Sequence, residues 1–313
     1  MKILVAYDGS GSSEAAIDDL ARAGLPGSCD VLVISVAETW FAPPSEDGES
    51  DSRASRLQNG SGGEDRSTKS SRLDAEATIL ANHAKERLQR MFPEWCMRSE
   101  AAVGSPAAEI LKKATEYAPD LIVIGSHGRS AINRFFLGSI SQKVLTEAPC
   151  SVRIARGRIE VDPTPVRIMI GFDGSAGSQA AVDAVTKRCW REFSEVRLVT
   201  VLEDLTPSAI GRFIPPITSS VNQVNELERE RMVQLANRAL KKLASISISA
   251  TSDILAGNPK DILVEEAHLW NADCIFVGAN NFGSRIERFL LGSTSAAVAA
   301  RAKCSVENVR VIA

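Results

Sequence analysis

The chain carries two copies of one sequence pattern, and this repeat restricts the folds that it can adopt. ILVAYDGS at residues 3–10 matches IMIGFDGS at residues 168–175. Later in each copy, LIVIGSHG, NRFFLGSIS and APCSV in the first match CIFVG, ERFLLGSTS and AKCSV in the second, in the same order. A chain of 313 residues is also about twice the usual size of a domain. We therefore predict one domain duplicated, with the two domains at 1–156 and 166–313 joined near RGRIEVDPTP.

The apolar periodicity within each copy alternates between two kinds of segment. Runs rich in Val, Ile and Leu, which are typical of buried strands, lie in the first copy at 2–7, 31–37, about 98–103, 120–125 and 150–155. Amphipathic segments with helical spacing lie between them, as at 12–24 and 105–118. Strands that alternate with helices form a mostly parallel sheet. The pattern predicts an α/β fold of two tandem doubly wound domains, each a five-stranded sheet with helices on both faces.

Two segments interrupt this alternation. Residues 43–72 contain eight serines and four glycines, with Leu57 as the only large apolar residue. Such a segment cannot bury enough apolar surface to offset its ordering entropy, which predicts a disordered insertion. The matching segment of the second copy, 205–222, is shorter and less charged, and the sequence leaves open whether it is a lid or a packing loop.

Charge and hydropathy exclude several classes of protein. Lys and Arg number 36 and Asp and Glu 39, so the net charge of −3 argues against a broad cationic surface for nucleic acid or for an anionic membrane. No apolar run approaches the roughly 18 residues of a membrane span, and the first residues lack a signal-peptide layout. We therefore expect a cytoplasmic protein. The six cysteines form no CxxC pair and the three histidines are scattered, which predicts reduced thiols and no metal site.

Small and polar residues follow the first and fourth predicted strands. In an open parallel sheet, a ligand binds beyond the carboxyl ends of the strands, and Asp8 follows the first strand there. Gly125 and Gly128 follow the fourth strand, and Gly138 with Ser139 then opens a helix. The free N–H groups of a helix start favour a phosphate group, and glycines let the backbone approach it. The pattern therefore indicates a phosphate-containing ligand.

Each of these features also has a simpler structural interpretation. An Asp-Gly-Ser sequence after a strand can be a turn whose aspartate, here Asp8, caps the next helix. Gly138 and Ser139 can mark only a helix start. His127 lies between the first two glycines, but no partner base or nucleophile is identifiable, so it is interpreted as a loop residue.

With an aspartate after the first strand, G-x2-G-x9-G-S after the fourth and APCSV in the last, the chain resembles the universal stress protein family in its tandem two-domain form. The resemblance implies an adenine nucleotide alpha hydrolase-like fold and the ATP-binding branch, with ATP as ligand and the presence of Mg left open. In the first copy, the residues implied to line this site are Asp8, Val36, Gly125, Gly128, Gly138, Ser139 and Ile140. In the second copy, they are Asp173, Val201, Gly278, Gly292, Ser293 and Thr294.

The second copy departs from the glycine spacing of the first. Four residues, rather than two, separate Gly278 from Gly283, and eight, rather than nine, separate Gly283 from Gly292, so the span from the first to the last glycine is one residue longer than in the first copy. We therefore predict that the second site is the weaker.

Three functions are compatible with these features. The favoured one is an ATP-holding stress-response or signalling module without enzymatic activity. The alternatives are a slow ATPase or related nucleotide-processing enzyme, and a nucleotide-free scaffold. The sequence lacks GxxxxGK[ST] and the metal-holding acid with a base or lysine that efficient phosphoryl transfer needs.

The two end strands predict how the domains associate. CSVRIARG ends the first copy and CSVENVRVI the second, at equivalent sheet positions. The family resemblance implies that such strands pair across a two-fold axis, which would cover their exposed N–H and C=O groups. We expect an intramolecular pseudo-dimer, with further homo-oligomerisation left open.

Overall fold

A computed structural model describes residues 1–38, 66–128, 137–156, 164–206, 215–246, 248–279 and 292–311. The elements of the first domain are β1 (Lys2–Ala6), α1 (Gly11–Asp19), β2 (Asp30–Glu38), α2 (Arg66–Met91), β3 (Cys96–Gly104), α3 (Pro106–Tyr117), β4 (Leu121–Gly125), α4 (Ser139–Glu147) and β5 (Ser151–Ala155). Those of the second are β6 (Arg167–Gly171), α5 (Ala176–Thr186), β7 (Glu195–Leu202), α6 (Pro215–Ala244), β8 (Ser249–Ala256), α7 (Pro259–Leu269), β9 (Cys274–Gly278), α8 (Ser293–Arg301) and β10 (Ser305–Val309).

The strands form one ten-stranded sheet in the order β3-β2-β1-β4-β5-β10-β9-β6-β7-β8. Within each domain all neighbours are parallel, and the strand order reverses between β1 and β4 and again between β6 and β9. The predicted fold class, with five strands per domain, is therefore confirmed. In a sheet of this kind the reversal opens a crevice beyond the carboxyl ends of the strands.

Local caps explain where several helices begin. The hydroxyls of Ser10 and Ser175 accept hydrogen bonds from the N–H groups at the third position of α1 and α5. The Asn258 side chain caps α7 by accepting from the N–H of Lys260, the second residue of the helix, and Pro259 occupies the first helical position. Ser105 is the N-cap residue of α3, but its side chain makes no capping hydrogen bond.

The helices α2 and α6 begin earlier than the sequence pattern predicts. The expected disordered insertion was placed at 43–72, yet α2 starts at Arg66, so its last seven residues are helical. Residues 43–65 lie outside the described part of the chain. Similarly, α6 starts at Pro215, so residues 215–222 of the segment 205–222 are helical, and residues 207–214 lie outside the described part of the chain. Both helices extend an amphipathic core segment into polar sequence, where apolar periodicity gives no signal.

The apolar core differs between the two faces of the sheet: one face carries a cluster shared by both domains, and the other carries a separate cluster for each domain. On one side of the sheet, a single apolar cluster joins both domains and includes Ile154 of the first and Val306 of the second, which are opposite each other in the sheet. On the other side, each domain has its own cluster, around α1 and α2 in the first and around α5 and α6 in the second. In the part of the chain that is described, no helix is long and apolar enough to cross a membrane.

The predicted pairing of the end strands is confirmed by the structure. β5 and β10 are antiparallel, with Ile154 opposite Val306 and Val152 opposite Asn308. The arginine after each strand reaches across the junction: Arg156 donates to the carbonyl oxygen of Ala302 at 2.9 Å, and its counterpart Arg310 donates to carbonyls at the end of α4. The two domains therefore form an intramolecular pair related by a pseudo-two-fold axis.

Burial separates the six cysteines into two groups, none of which forms a disulfide in the structure. The less accessible thiols are Cys29, Cys150, Cys274 and Cys304. Burial raises the pKa of the last three to about 12 and also raises that of Cys29. Because the thiolate is the reactive form, we expect a thiol reagent at pH 8 to modify only the exposed Cys96 and Cys189 rapidly. Peptide mapping after brief alkylation checks this, and rapid labelling of Cys150 would contradict it.

Candidate functional site

A cavity lies beyond the carboxyl ends of β1, β2 and β4, at the reversal of strand order. Its volume is about 400 Å³. Of the residues that the sequence assigns to the first site, five line it together: Asp8, Val36, Gly125, Gly128 and Ile140. Gly138 and Ser139 lie beside it at the start of α4, where the Gly138 N–H donates to the Ser126 carbonyl at 2.8 Å.

The start of α4 has no side-chain cap. Its N-cap residue is Gly138, and its next residues, Ile140 and Ser141, line the cavity. At the nearby start of α1, by contrast, the Ser10 hydroxyl accepts from the Ser13 N–H. The first N–H groups of a helix have no acceptor within the helix, and they carry the positive end of its dipole. An uncapped helix start at a cavity wall can therefore receive an anion.

Asp8 combines the turn role with a place in the cavity wall. Its Oδ1 accepts from the Ser10 N–H at 2.9 Å, and Ser10, rather than Asp8, caps α1. Its Oδ2 lies 3.2 Å from the point where a Cβ on Gly128 would stand. In the second domain Asp173 makes the same turn, with Oδ1 3.0 Å from the Ser175 N.

Gly125 and Gly278 serve a purpose that the sequence interpretation missed. A Cβ on Gly125 would lie 2.7 Å from the backbone of Ser12, and one on Gly278 would lie 2.1 Å from the backbone of Gly177. Glycine is therefore needed at the end of β4 and β9 because α1 and α5 cross the sheet there at close range. This packing is by itself enough to require glycine at these two positions, and both residues also line their cavities.

One cavity residue escaped the sequence interpretation altogether. Ser35, in β2, is 1% exposed and lines the cavity, and its hydroxyl has no hydrogen-bond partner among the described residues. Thr200 occupies the same place in β7, and its hydroxyl is likewise buried and unpartnered. Buried hydroxyls ordinarily find partners. A polar residue recurring at one register position within two apolar strands was the signal available.

A second cavity occupies the equivalent place in the second domain. The six residues assigned there by sequence line it together: Asp173, Val201, Gly278, Gly292, Ser293 and Thr294. The helix α8 begins at Ser293 without a side-chain cap, as α4 does. The volume, however, is only about 140 Å³.

A single helix position distinguishes the two cavities. The buried residues of α2 and α6 have the same spacing, so that Ala77 in α2 corresponds to Met232 in α6. Ala77 lines the first cavity, together with other residues of α2, whereas α6 contributes nothing to the lining of the second. The Met232 thioether instead packs near Gly174, 3.7 Å from where its Cβ would stand. Ala77 leaves space between α2 and the sheet in the first domain, whereas the longer side chain of Met232 fills the corresponding space under α6 in the second.

Few groups suited to acid–base or metal chemistry meet at the first cavity. His127 lines the cavity; its Nδ1 lies 2.8 Å from the Ser126 hydroxyl, and its carbonyl oxygen accepts a hydrogen bond from the Ser12 hydroxyl. The Tyr7 hydroxyl bonds the Glu14 carboxylate. Within the described ranges, no three His, Cys, Asp or Glu side chains cluster closely enough to hold a metal ion.

Comparison with known proteins gives a consistent result. The model of the universal stress protein family matches residues 1–156 and 166–310. A universal stress protein of Thermus aquaticus is 51% identical over 79 residues, 25% of this chain and 58% of the relative, so the match spans little more than half of that protein. The crystal structure of a universal stress protein from Archaeoglobus fulgidus covers 99% of this chain and 96% of its own, with 18% identity and a TM-score of 0.62.

A further solved relative contains a nucleotide. The universal stress protein family protein from Arabidopsis thaliana was solved with AMP bound. It matches 47% of this chain and 92% of its own, at 17% identity and a TM-score of 0.32. The adenine nucleotide alpha hydrolase-like fold implied by the sequence is the fold of these relatives. With both halves matched by one family, the chain belongs to the universal stress protein family as a tandem of two such domains.

Proposed function

We propose that the first domain binds ATP in the cavity between β1, β2, β4 and α2, and that the protein is a cytoplasmic, nucleotide-holding stress-response or signalling module. The observation that carries the proposal is one cavity of about 400 Å³ with an uncapped helix start at its wall and an unpartnered buried hydroxyl. This volume lies within the range of about 300–1,000 Å³ that ligand pockets usually have.

The start of α4 is suited to the phosphates. The backbone N–H groups of Ser139 and Ile140 begin this helix, and Gly128 and Gly138 add no side chain to the approach. A negative charge at this place is stabilised by the helix dipole and by direct hydrogen bonds. These residues would hold the phosphates whether or not Mg accompanies them.

The opposite part of the cavity is suited to the adenosine. Val36 and Ile110 give it an apolar wall, and the Ser35 hydroxyl supplies a hydrogen-bonding group without another partner. Pockets for small ligands commonly combine an apolar lining with a few such polar groups. The second cavity, at about 140 Å³, is below the usual range, which supports a weaker or absent second site.

We also propose that the protein is not an efficient enzyme. Asp8 lines the cavity, but one of its carboxylate oxygens accepts a hydrogen bond from the Ser10 N–H and so stabilises the turn before α1. Efficient phosphoryl transfer relies on metal-holding carboxylates and a positioned base. We expect single-turnover measurements to show at most slow ATP hydrolysis.

Nucleotide analysis and calorimetry test this proposal. Protein purified without added ligand is denatured, and released nucleotides are identified by mass spectrometry. ATP is then titrated into the wild type and the matched variants Gly138→Val and Gly292→Val. We expect Gly138→Val to abolish the tighter site, since its Cβ would stand 3.2 Å from the His127 Cα, and Gly292→Val to leave it intact. Neither released nucleotide nor binding heat in the wild type would contradict the proposal and favour a nucleotide-free scaffold.

A further inference from the structure

The two domains meet at a pair of residues of opposite charge. In the antiparallel pairing of β5 with β10, Arg153 is directly opposite Glu307. Both follow the same Cys-Ser-Val sequence, so they are one position of the repeat that has diverged. The pseudo-two-fold axis passes between them, since Val152 and Ile154 on one strand face Asn308 and Val306 on the other.

Charges alternate in sign across this junction. The Arg153 Nε lies 2.5 Å from the Asp19 Oδ2, and its Nη1 lies 3.2 Å from the Glu307 Oε2. The other oxygen of Glu307 bonds Arg188. The four side chains are buried, with Arg153 and Glu307 each 1% exposed. The order through the junction is therefore negative, positive, negative, positive.

Pairing of identical domains would destroy this alternation. Two first domains joined by the same strand register would place Arg153 against a second Arg153, and two second domains would place Glu307 against a second Glu307. Each case puts like charges together at the buried centre of the junction: Arg153 would keep Asp19 and Glu307 would keep Arg188, both within their own domain, but the attraction across the junction would become a repulsion. Only the first domain with the second gives opposite charges on the axis.

The shapes of the two domains, like their charges, favour the pairing of a first domain with a second domain. A Cβ on Gly24 would lie 2.7 Å from the Trp190 ring, and Gly24 has a φ of +63°. Counted from Asp8 and Asp173, Gly24 corresponds to Cys189 and Trp190 corresponds to Leu25. Two second domains would therefore press the indole against a residue that has a side chain. Two first domains would set Leu25 beside Gly24 and leave a gap.

We infer that the end-strand surface of the first domain is selective for a universal stress domain with a carboxylate at the Glu307 position and a large aromatic ring at the Trp190 position, and that it rejects a second copy of itself. This inference does not depend on nucleotide binding. It identifies the duplicated chain as an obligate pairing of unlike domains, because the two halves have become complementary in charge and in shape.

The test measures which dimers the two separated halves form when they refold together. The full chain carries a protease site within residues 157–163 and is cleaved after folding, then unfolded in urea and refolded by dilution. Native mass spectrometry separates the three dimers because the halves differ in mass. In the wild type we expect first-with-second dimers to exceed either homodimer by at least about tenfold, since like-charge juxtaposition opposes the wrong pairings.

The decisive variant gives the second half neutral and small groups at the junction. With Glu307→Gln and Trp190→Leu together, we expect dimers of two second halves to increase by about tenfold or more. The matched control is Glu192→Gln with Phe193→Leu, the same kinds of substitution at two exposed neighbouring positions, and it should retain the wild-type distribution. The inference would be overturned if the wild-type halves formed homodimers as often as random pairing predicts. It would also be overturned if the decisive variant formed first-with-second dimers in the same excess as the wild type.

A measurement on the intact chain decides the matter if the cleaved halves do not refold. Arg153→Met, Glu307→Gln and their combination form a double-mutant cycle in the unfolding equilibrium constant. A coupling factor above about tenfold supports an energetic preference for the opposite charges, and one below about threefold overturns it.

Discussion

The Arg153→Met variant is expected to lose about 3–5 kcal/mol in the free energy of unfolding. The substitution retains the volume of the side chain but removes the guanidinium, which leaves the Asp19 carboxylate without its strongest partner and Glu307 with Arg188 alone. Burial lowers the pKa of Arg153 and the carboxylate of Asp19 raises it, with a net pKa well above the ordinary value. The wild-type guanidinium is therefore charged throughout the pH range of the experiment.

Urea unfolding of both proteins, followed by circular dichroism, measures this difference. Arg231→Met is the matched control, because Arg231 pairs with Glu228 on the exposed surface of α6 and its removal should change stability by less than about 1 kcal/mol. A loss of less than about 1 kcal/mol in Arg153→Met would show that the buried charges are not essential to the junction.

The Ala77→Met variant is expected to weaken ATP binding by about tenfold to a hundredfold, equivalent to about 1.4–2.7 kcal/mol. The longer side chain would enter the space beneath α2 that Ala77 leaves open, as Met232 does in the second domain. Because it fills a cavity that is open in the wild type, the melting temperature should not fall. Calorimetric titration of ATP measures the affinity, and Ile79→Met on the exposed side of the same helix is the control.

The reciprocal substitution, Met232→Ala, should enlarge the second cavity. We expect improved ATP binding at the second site, together with a loss of about 2–5 kcal/mol in stability from the deleted core side chain. Unchanged ATP affinity in Ala77→Met would exclude the space under α2 as part of the site. In that case, the longer glycine loop of the second copy would remain the explanation for the weaker second site.

The spacing argument and the structure give different reasons for that inequality. From sequence, the extra residue between Gly278 and Gly292 predicts the loss of an N–H bond to a charged oxygen, at a cost of about 1.5–3 kcal/mol. The loop residues 280–291 lie outside the described part of the chain, so this reason stays a prediction. The structure adds Met232, whose equivalence to Ala77 becomes apparent only once both helices are seen to bury the same faces.

Much of the site could be predicted because its residues lie at the ends of recognisable strands. Asp8 follows one short apolar run and Val36 lies near the end of another, and parallel strands bring their carboxyl ends to one edge of the sheet. Ser35 could not be assigned in the same way. A serine in a strand is ordinarily paired, and its lack of a partner is a property of everything packed around it.

The sequence by itself determined the duplication and the parallel sheet of each domain, because both depend on short-range periodicity repeated in two copies; the pairing of the end strands was implied by the family resemblance, and the structure shows it to be antiparallel. Tertiary structure alone decided how the diverged positions are used. Arg153 and Glu307 occupy equivalent positions of the repeat, and the sequence gives no reason for their opposite charges. The reason becomes apparent when β5 and β10 place the two residues opposite each other on the axis. Gly125 likewise resembles a phosphate-loop glycine until α1 is found 2.7 Å from its Cβ position. Contacts between distant segments are set by packing, which no local pattern of residues encodes.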